Sequence, residues 1–326
     1  MQPPRRGRTG GVHADGQPAA PTVADASEIT RKLLGRPADS VSRHIPPHGG
    51  GASFSYRVSS AGREMLLKVN KGPREPVGAY YYGRLREAGV PVPALVAFSS
   101  GAPPAGQACA LFEWVEGVPA EFGCADRPPY DEAQLGEILR TIHDLRYQDG
   151  FGRLDDEGHA AGATWREALR ATWSVGQCVK RGAIPAELGA HLEGLPRRFD
   201  AELSAVEAGL LHHEDIMFNG NVIVGAHRRI VAVVDFGGAM AGDPLWELMW
   251  FDYYFGEYGY DERTPQSFDL RRFRRAYGRG YDPHGSLQRL YLVSALLEKL
   301  SFLPPDDPRA VHHRQALAEL AGDPEG

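Results

Sequence analysis

A short apolar segment that ends in an aspartate constrains this chain more than any other stretch. Residues 230–234 read Ile-Val-Ala-Val-Val, and Asp235, Phe236 and Gly237 follow directly. A run of branched apolar residues is typical of a buried strand, so Asp235 is predicted to lie at the end of a strand. A carboxylate held rigidly at the edge of a sheet is suited to bind a metal ion or to take part in catalysis.

A second polar segment, residues 213–221, precedes another apolar stretch at residues 222–224. Asp215 in this segment can accept a proton from an attacking hydroxyl, and the amide oxygen of Asn221 can hold a hard cation. A zinc site is the rival interpretation. Its ligands would be His212, His213 and Glu214. The sequence disfavours zinc because no H-E-x-x-H pattern is present and adjacent histidines rarely share one metal.

The N-terminal third contains a glycine-rich turn and a lysine inside an apolar strand. The residues of the turn are Gly49, Gly50, Gly51 and Ser53. Glycines let the backbone approach an anion and direct N–H groups toward it. Lys68 interrupts the apolar strand 65–69, and a lysine in such a place needs a partner or a cleft. Glu75, shortly before the next predicted helix, is the candidate carboxylate.

Each feature is ambiguous alone, but their order along the chain is informative. A glycine-rich loop, a strand lysine, a helix-associated glutamate, a hinge strand at residues 109–115, an aspartate with an asparagine, and a strand-end Asp-Phe-Gly follow one another. Kinases that transfer phosphoryl groups have these parts in this sequence. In such enzymes the protein mainly positions ATP and stabilises charge on the transferring group.

The hydrophobic pattern changes near residue 117. Upstream, short alternating segments predict strands with one helix, whereas downstream apolar residues recur at helical spacing around one short hairpin. The sequence therefore predicts an α+β, protein-kinase-like fold with two lobes. The expected divisions are a disordered leader at 1–26, a nucleotide-binding N-lobe at 27–116, and a catalytic, acceptor-binding C-lobe at 117–326.

Composition excludes several other classes. The 326 residues carry 36 Lys and Arg against 42 Asp and Glu, a net charge of −6, which disfavours a nucleic-acid partner. The longest nearly apolar run, residues 290–297, is shorter than the ~20 residues of a membrane helix. Three widely spaced cysteines, Cys109, Cys124 and Cys178, argue against a disulfide framework. A cytoplasmic protein with a small-molecule partner is expected.

On these motifs the chain resembles the aminoglycoside phosphotransferase family of small-molecule kinases. Typical members carry His-Gly-Asp, four residues and Asn before a strand, then Ile-Asp-Trp, Gly-Asp-Pro and Asp-Leu. The matching residues here are His213, Asp215, Asn221, Asp235, Gly242, Asp243 and Pro244. Residues 150–166 and 238–240 are most similar to the hygromycin B phosphotransferase branch, and the resemblance runs from about residue 45 to 255.

The resemblance implies a role for each site residue. The adenine of ATP would lie against the backbone of Glu113, Trp114 and Val115, with the glycine-rich turn, Lys68 and Glu75 completing the nucleotide site. Asp215 would orient the acceptor hydroxyl, and Asn221 with Asp235 would bind Mg²⁺. The implied product is a phosphorylated antibiotic. A choline, homoserine or sugar-amine kinase and a catalytically silent kinase-like module are the alternatives, and the intact Lys68, Asp215 and Asp235 argue against silence.

The chain also departs from the family pattern. The aspartate-to-asparagine spacing is six instead of five, so either Asn221 or Asn219 is the metal ligand. Asn221 is preferred because it directly precedes the strand. A further register starts at His212 and makes Glu214 the base. Glu247 stands where the family has the aspartate after Gly-Asp-Pro.

A segment rich in acids and aromatic residues, 246–262, suggests the charge of the acceptor. It contains five acids, eight aromatic residues and no Lys or Arg. The spacing predicts that Trp246, Met249, Trp250 and Tyr253 form a buried helix stripe. The acids predicted to face the cleft are Asp252, Glu257, Asp261 and Glu262. Because acids attract cations and aromatic faces hold ammonium groups, a basic, hydroxyl-bearing antibiotic or basic peptide is the expected substrate.

Overall fold

The protein was studied as a computed structural model. The residues that the structure describes are 20–45, 53–71, 78–102, 107–120, 130–211, 216, 220–256, 268–278 and 285–322. The predicted α+β class is confirmed, with an antiparallel sheet and two helices in the N-terminal lobe and mainly helices in the C-terminal lobe. Within the described residues, every helix is too short or too polar to cross a bilayer.

The N-terminal lobe is built on a five-stranded antiparallel sheet, ordered β1-β2-β3-β5-β4. Its strands are β1 (Ser40–His44), β2 (Ser53–Ser60), β3 (Arg63–Asn70), β4 (Leu95–Ala102) and β5 (Gln107–Glu113). Apolar residues alternate along β3, and Met65, Leu67 and Val69 are buried on one face. Since neighbouring residues of a strand point to opposite faces, Lys68 lies on the other.

Helix α1 (Val23–Leu34) covers the apolar face, where Ala26 and Ile29 pack with Tyr56 and Leu67. The helix begins at Val23, before residue 27, where the N-lobe was predicted to begin. The reason is a capping box, in which the Thr22 hydroxyl accepts from the Asp25 N–H and the Asp25 carboxylate accepts from the Thr22 N–H. This contact satisfies N–H groups that a helix start otherwise leaves unpaired.

Helix α2 (Ala79–Glu87) lies on the face of the sheet that carries Lys68. Tyr82 packs against Phe112 of β5, with ring centroids 4.5 Å apart, and Leu85 is fully buried. The apolar cluster that contains these residues continues without a break into the C-terminal lobe. Helix α2 is therefore packed against both lobes, which matters for the site described below.

The C-terminal lobe contains two small antiparallel sheets, ordered β11-β10-β6 and β8-β7-β12-β9. Their strands are β6 (Val118–Ala120), β7 (Phe151–Leu154), β8 (Ala160–Gly162), β9 (Gly209–Leu211), β10 (Val222–Val224), β11 (Ile230–Val233) and β12 (Met240–Gly242). The predicted hairpin at residues 222–234 is confirmed, because β10 pairs with β11 and Val222 lies opposite Val233.

Nine helices are described in this lobe. They are α3 (Glu132–His143), α4 (Trp165–Thr172), α5 (Val175–Lys180), α6 (Ala186–Arg198), α7 (Asp200–Ser204), α8 (Pro244–Phe255), α9 (Leu270–Tyr277), α10 (Ser286–Phe302) and α11 (Pro308–Gly322). Helix α8 is apolar on all sides and lies in the middle of the lobe, and its predicted stripe of Trp246, Met249, Trp250 and Tyr253 is buried.

A buried histidine on α11 predicts how the fold responds to acid. His313 is 1% exposed and shares a 2.8 Å hydrogen bond between its Nε2 and the Tyr253 hydroxyl. Burial, aided by the charges of His312, Lys299 and Arg309, lowers the pKa of His313 from 6.5 to about 4. The unfolded chain binds this proton below about pH 6.5, so the free energy of unfolding should fall between pH 6.5 and 4, by up to about 3 kcal/mol.

Denaturant unfolding of the wild type and of His313→Gln at pH 7, 5.5 and 4 measures this effect. The glutamine keeps a hydrogen-bonding group for Tyr253 but does not titrate, so the stability advantage of the wild type should shrink as the pH falls. An advantage that is the same at all three pH values would contradict the assignment to His313.

Candidate active site

The candidate site is centred on an ion pair between the two lobes. Lys68 Nζ donates to Asp235 Oδ1 over 2.7 Å, although the two residues are 167 positions apart in sequence. The Lys68 side chain is 13% exposed, whereas that of Asp235 is 50% exposed. The lysine is thus held inside the cleft while the carboxylate stays accessible, and a cation or an anionic ligand can reach the pair.

The backbone around Asp235 is held in an uncommon conformation. Asp235 follows β11 and has a φ of 67°, in the left-handed region, which costs a residue with a Cβ roughly 1–2 kcal/mol. Its N–H donates to the Tyr82 hydroxyl of α2 over 3.2 Å. The next side chain, Phe236, is buried against the rings of Tyr81 and Tyr82. These contacts stabilise a strained conformation, which is a common property of functional sites.

Asn221 lies beside this segment at the start of β10. It is 7% exposed, and its backbone carbonyl oxygen accepts from the Val234 N–H over 2.9 Å. The hairpin thus brings the residue before β10 next to the residues that follow β11. A carboxylate and an amide oxygen are the types of oxygen ligand that Mg²⁺ takes. Asn221 and Asp235 therefore stay the predicted metal ligands, and Asn219 lies outside the described residues.

Cross-strand pairing aligns further polar residues with Lys68. Ser55 lies opposite both His44 of β1 and Lys68 of β3, so these three side chains project from the same face of the sheet. Ser53 pairs with Asn70 and lies on this face as well. These aligned side chains form the surface of the N-terminal lobe against which a nucleotide is expected to bind.

The predicted hinge strand, residues 109–115, comprises most of β5 and the two residues after it. The Glu113 N–H donates to the Ala94 carbonyl over 2.8 Å, and the Trp114 N–H donates to the Glu64 carbonyl over 3.0 Å. The Trp114 ring lies edge-to-face with His44 at 5.3 Å, and the Arg57 guanidinium lies 4.5 Å from its centre. Trp114 therefore forms an aromatic end to the face that carries Lys68. Val115 follows it directly.

Asp243 has a structural role as a helix cap. Its carboxylate caps α8 by accepting from the Leu245 N–H over 3.0 Å, and it accepts from the Tyr291 hydroxyl over 2.7 Å. Trp165 Nε1 in turn donates to the Tyr291 oxygen over 2.8 Å. Burial raises the pKa of Asp243, and the bond from Tyr291 opposes that shift. The residue is enclosed, unlike the half-exposed Asp235.

Glu247, which stands where the family has aspartate, belongs to a buried group that the sequence analysis missed. Its Oε2 lies 2.9 Å from His143 Nε2, and His143 Nδ1 lies 2.9 Å from the Tyr277 hydroxyl. The side chains of His143 and Glu247 are both 0% exposed. This contact ties α3, α8 and α9 together, so Glu247 stabilises the lobe that supports the site.

The structure corrects the prediction that Asp252 presents a free charge to an acceptor. Asp252 is 8% exposed, forms an ion pair with Arg274 and accepts from Gln288 Nε2 over 2.8 Å. Asp252 lies on α8 between α9 and α10. The Arg274 guanidinium neutralises its charge, and the Gln288 amide donates a hydrogen bond to it. Sequence periodicity missed this because α8 is surrounded on all sides.

Several aromatic faces that were expected to attract a cationic acceptor are engaged by a lysine of the protein. Lys299 Nζ lies 4.7 Å from the ring centre of Trp250, 5.8 Å from that of Tyr253 and 5.5 Å from that of Tyr254. Cation–π contacts of this kind contribute about 0.5–2 kcal/mol. These rings therefore stabilise the packing of α10 against α8.

The remaining predicted site residues lie outside the described residues, and their roles stay predictions. They are Gly49, Gly50, Gly51, Glu75, Asp215, Glu257, Asp261 and Glu262. Among the described residues, Lys68 contacts Asp235, the backbone of Asn221 pairs with that of Val234, and Ser53 and Trp114 lie on the sheet face that carries Lys68.

Comparison with known proteins identifies the family. The sequence matches the phosphotransferase enzyme family, APH, over residues 44–293. Because this match spans most of the chain, the protein belongs to that family, as the sequence motifs predicted. No curated protein sequence gives a significant match.

Solved structures of low identity share the fold. A thermostable mutant of aminoglycoside phosphotransferase APH(4)-Ia, in complex with ADP and hygromycin B, is 18% identical with a TM-score of 0.61, and the match covers 93% of this chain and 99% of that one. A protein assigned as a fructosamine-3-kinase, from Thermobifida fusca YX-ER1, is also 18% identical, with a TM-score of 0.57 and coverage of 92% and 98%. At these identities the likeness concerns the fold alone.

Proposed function

We propose that this protein is an ATP-dependent phosphotransferase that phosphorylates a hydroxyl of a small, cationic antibiotic of the aminoglycoside or aminocyclitol type, and thereby confers resistance. The observation that carries the proposal is the 2.7 Å pair between Lys68 and Asp235. A lysine ammonium commonly binds phosphate, and a carboxylate commonly binds a metal ion. Here the two groups meet between the lobes of a phosphotransferase fold.

In this proposal the N-terminal lobe, residues 27–116, binds the nucleotide. The base lies near Glu113, Trp114 and Val115, and the phosphates extend along the face that carries Ser53 toward Lys68. The ammonium of Lys68 donates to phosphate oxygens, while Asn221 and Asp235 hold Mg²⁺. When bound, Mg²⁺ neutralises charge on the triphosphate oxygens.

The C-terminal lobe, residues 117–326, orients the acceptor. The Asp215 carboxylate accepts the proton of the acceptor hydroxyl and aligns its oxygen with the terminal phosphorus. Little covalent chemistry is required of the protein, since positioning and charge stabilisation account for most of the catalysis of phosphoryl transfer.

The proposal is tested with purified protein, Mg²⁺-ATP and a panel of acceptors that includes aminoglycosides, aminocyclitols, choline, homoserine and fructosamines. Formation of ADP that depends on the acceptor, together with the mass of one added phosphoryl group on it, is the expected result for a basic antibiotic. Lys68→Ala should weaken nucleotide binding in calorimetry and abolish turnover. Nucleotide binding without turnover for any acceptor would instead indicate a binding module.

A kinase of a non-antibiotic amino-sugar metabolite is the second candidate. One observation favours it: the fold is shared with an assigned fructosamine-3-kinase. The same acceptor panel separates the two functions, because a fructosamine kinase should act on glycated amines and leave aminocyclitols unmodified.

The charge of the acceptor predicts a dependence on salt. If Glu257, Asp261 and Glu262 attract a polycation, the acceptor KM should rise between low and high ionic strength, because charge attraction is screened over ~10 Å at 0.1 M. The triple variant Glu257→Gln, Asp261→Asn, Glu262→Gln should raise the acceptor KM and flatten its salt dependence.

Asp252→Asn is the matched control for this experiment. Because Asp252 is buried against Arg274, its variant should lower the free energy of unfolding and leave the salt dependence of KM unchanged. An acceptor KM that does not change with salt in the wild type would contradict a cationic acceptor.

A further inference from the structure

A hairpin of the C-terminal lobe supplies the cap of a helix in the N-terminal lobe. Helix α2 begins at Ala79, and the residue before it, Gly78, has no side chain to cap the helix. The cap comes from Asp156, between β7 and β8, whose Oδ1 accepts from the Ala79 N–H over 2.8 Å. The two residues are 77 positions apart, so this contact forms only when the lobes are folded against each other.

A second set of contacts holds the same helix to the same hairpin. Gly158 has a φ of +89°, and an added Cβ would enter the ring of Tyr80 on α2. The Tyr147 hydroxyl donates to the Gly158 carbonyl, and the Tyr147 ring lies edge-to-face with that of Tyr80 at 6.4 Å. Arg84 continues the contact, donating to the Arg146 carbonyl over 3.0 Å. These contacts hold the first turns of α2 against the C-terminal lobe.

The opposite side of α2 contacts the ion-pair segment. Tyr82 accepts the Asp235 N–H, and the rings of Tyr81 and Tyr82 enclose Phe236. Gly78 lies so close to Phe236 that any Cβ on it would clash with the Phe236 backbone. Because α2 contacts both the hairpin and the Asp235 segment, the position of the hairpin affects the left-handed conformation of Asp235.

We propose that Asp156 is a positioning residue, which fixes α2 through the Ala79 N–H and so holds the Asp235 carboxylate in reach of Lys68. The effect of Asp156 on α2 and Asp235 is inferred from their contacts alone, whereas its consequence for phosphoryl transfer rests on the proposed function. Asp156 touches neither reacting group. It sets how often the Lys68–Asp235 pair is assembled.

Hydrogen exchange measures this coupling without any knowledge of the acceptor. In Asp156→Ala, exchange should accelerate by about two- to thirtyfold, the fold-change that corresponds to the loss of one helix cap. The acceleration should appear in the first turn of α2 and equally at residues 235–238. Nucleotide affinity, measured by calorimetry with Mg²⁺-ADP, should weaken by a factor in the same range. Asp156→Asn keeps an oxygen acceptor and should restore most of both properties.

Asp269→Ala provides the matched control. Asp269 caps α9 by accepting from the Arg272 N–H over 2.9 Å, so its loss should accelerate exchange in α9 and leave residues 235–238 unchanged. Gly158→Ala, which drives a Cβ into Tyr80, should reproduce the Asp156→Ala pattern. Gly182→Ala serves as its control, because Gly182 has a φ of +69° with open space around it.

The possible outcomes separate this inference from the proposed function. Faster exchange in α2 with unchanged exchange at residues 235–238 and unchanged nucleotide affinity would overturn it and leave Asp156 as an ordinary cap. Tyr82→Phe, which removes the acceptor of the Asp235 N–H and keeps the ring, supplies a second test if Asp156→Ala does not fold. Tyr82→Phe should accelerate exchange at Asp235 without affecting the first turn of α2. Unchanged exchange at Asp235 would contradict the proposal. Coupled exchange in a protein without kinase activity would support the inference and refute the function.

Discussion

Replacing Asp235 with alanine is expected to abolish phosphoryl transfer at any practical Mg²⁺ concentration. The variant removes the half-exposed carboxylate that faces Lys68, and with it the proposed ligand that holds Mg²⁺ against the nucleotide. Metal-ion stabilisation contributes several kcal/mol to a transition state of this kind, so kcat should fall by at least about 10³-fold. Steady-state kinetics over a wide range of Mg²⁺ concentrations measures the loss.

Asp243→Ala is the matched control, since it removes another aspartate that follows a short strand, in this case β12. Asp243 is buried as the cap of α8, so its replacement should lower the free energy of unfolding by about 1 kcal/mol or more and spare transfer in the folded fraction. A folded but inactive Asp243→Ala beside an active Asp235→Ala would require the two assignments to be exchanged.

Asp215→Asn is expected to lower kcat by roughly 10²–10⁴-fold, with nucleotide affinity largely kept. Asparagine has nearly the shape of aspartate but cannot take the proton of the acceptor hydroxyl. Single-turnover kinetics with saturating ATP, combined with calorimetry of ADP binding, separates the chemical step from nucleotide binding.

Glu214→Gln distinguishes the two possible registers of this segment. If Asp215 is the base, the Glu214 variant should keep most of its activity. Full activity in Asp215→Asn together with an inactive Glu214→Gln would instead assign the base to Glu214, in the register that starts at His212.

Much of the fold follows from local patterns. The apolar run at residues 65–69 predicted the strand β3, and Lys68 inside it was expected to need a partner or a cleft. The branched apolar runs at residues 222–224 and 230–234 predicted a hairpin, and the helical spacing of Leu135, Ile138 and Ile142 predicted α3. Such patterns succeed because strand and helix periods determine which side chains share a face.

The environment of the site depended on contacts between distant parts of the chain. Lys68 was expected to need a partner, with Glu75 as the candidate carboxylate, and the structure pairs it with Asp235. Asp252 was assigned to the acceptor because acids usually face solvent, but α8 is enclosed and Arg274 neutralises the charge. No local signal marks Asp156 as the cap of α2, because the partner N–H belongs to the other lobe.

By itself the sequence determined the α+β fold class of this protein, because residue type and periodicity are local properties. The order of its motifs was enough to recognise the family. Only the tertiary structure decided which acids remain accessible, which are neutralised by buried cations, and which helix holds Asp235 in its left-handed conformation. Packing between the lobes decides these properties of the acids. There the free energy of a charged side chain depends on its burial and on the distance to its partner, rather than on residue type.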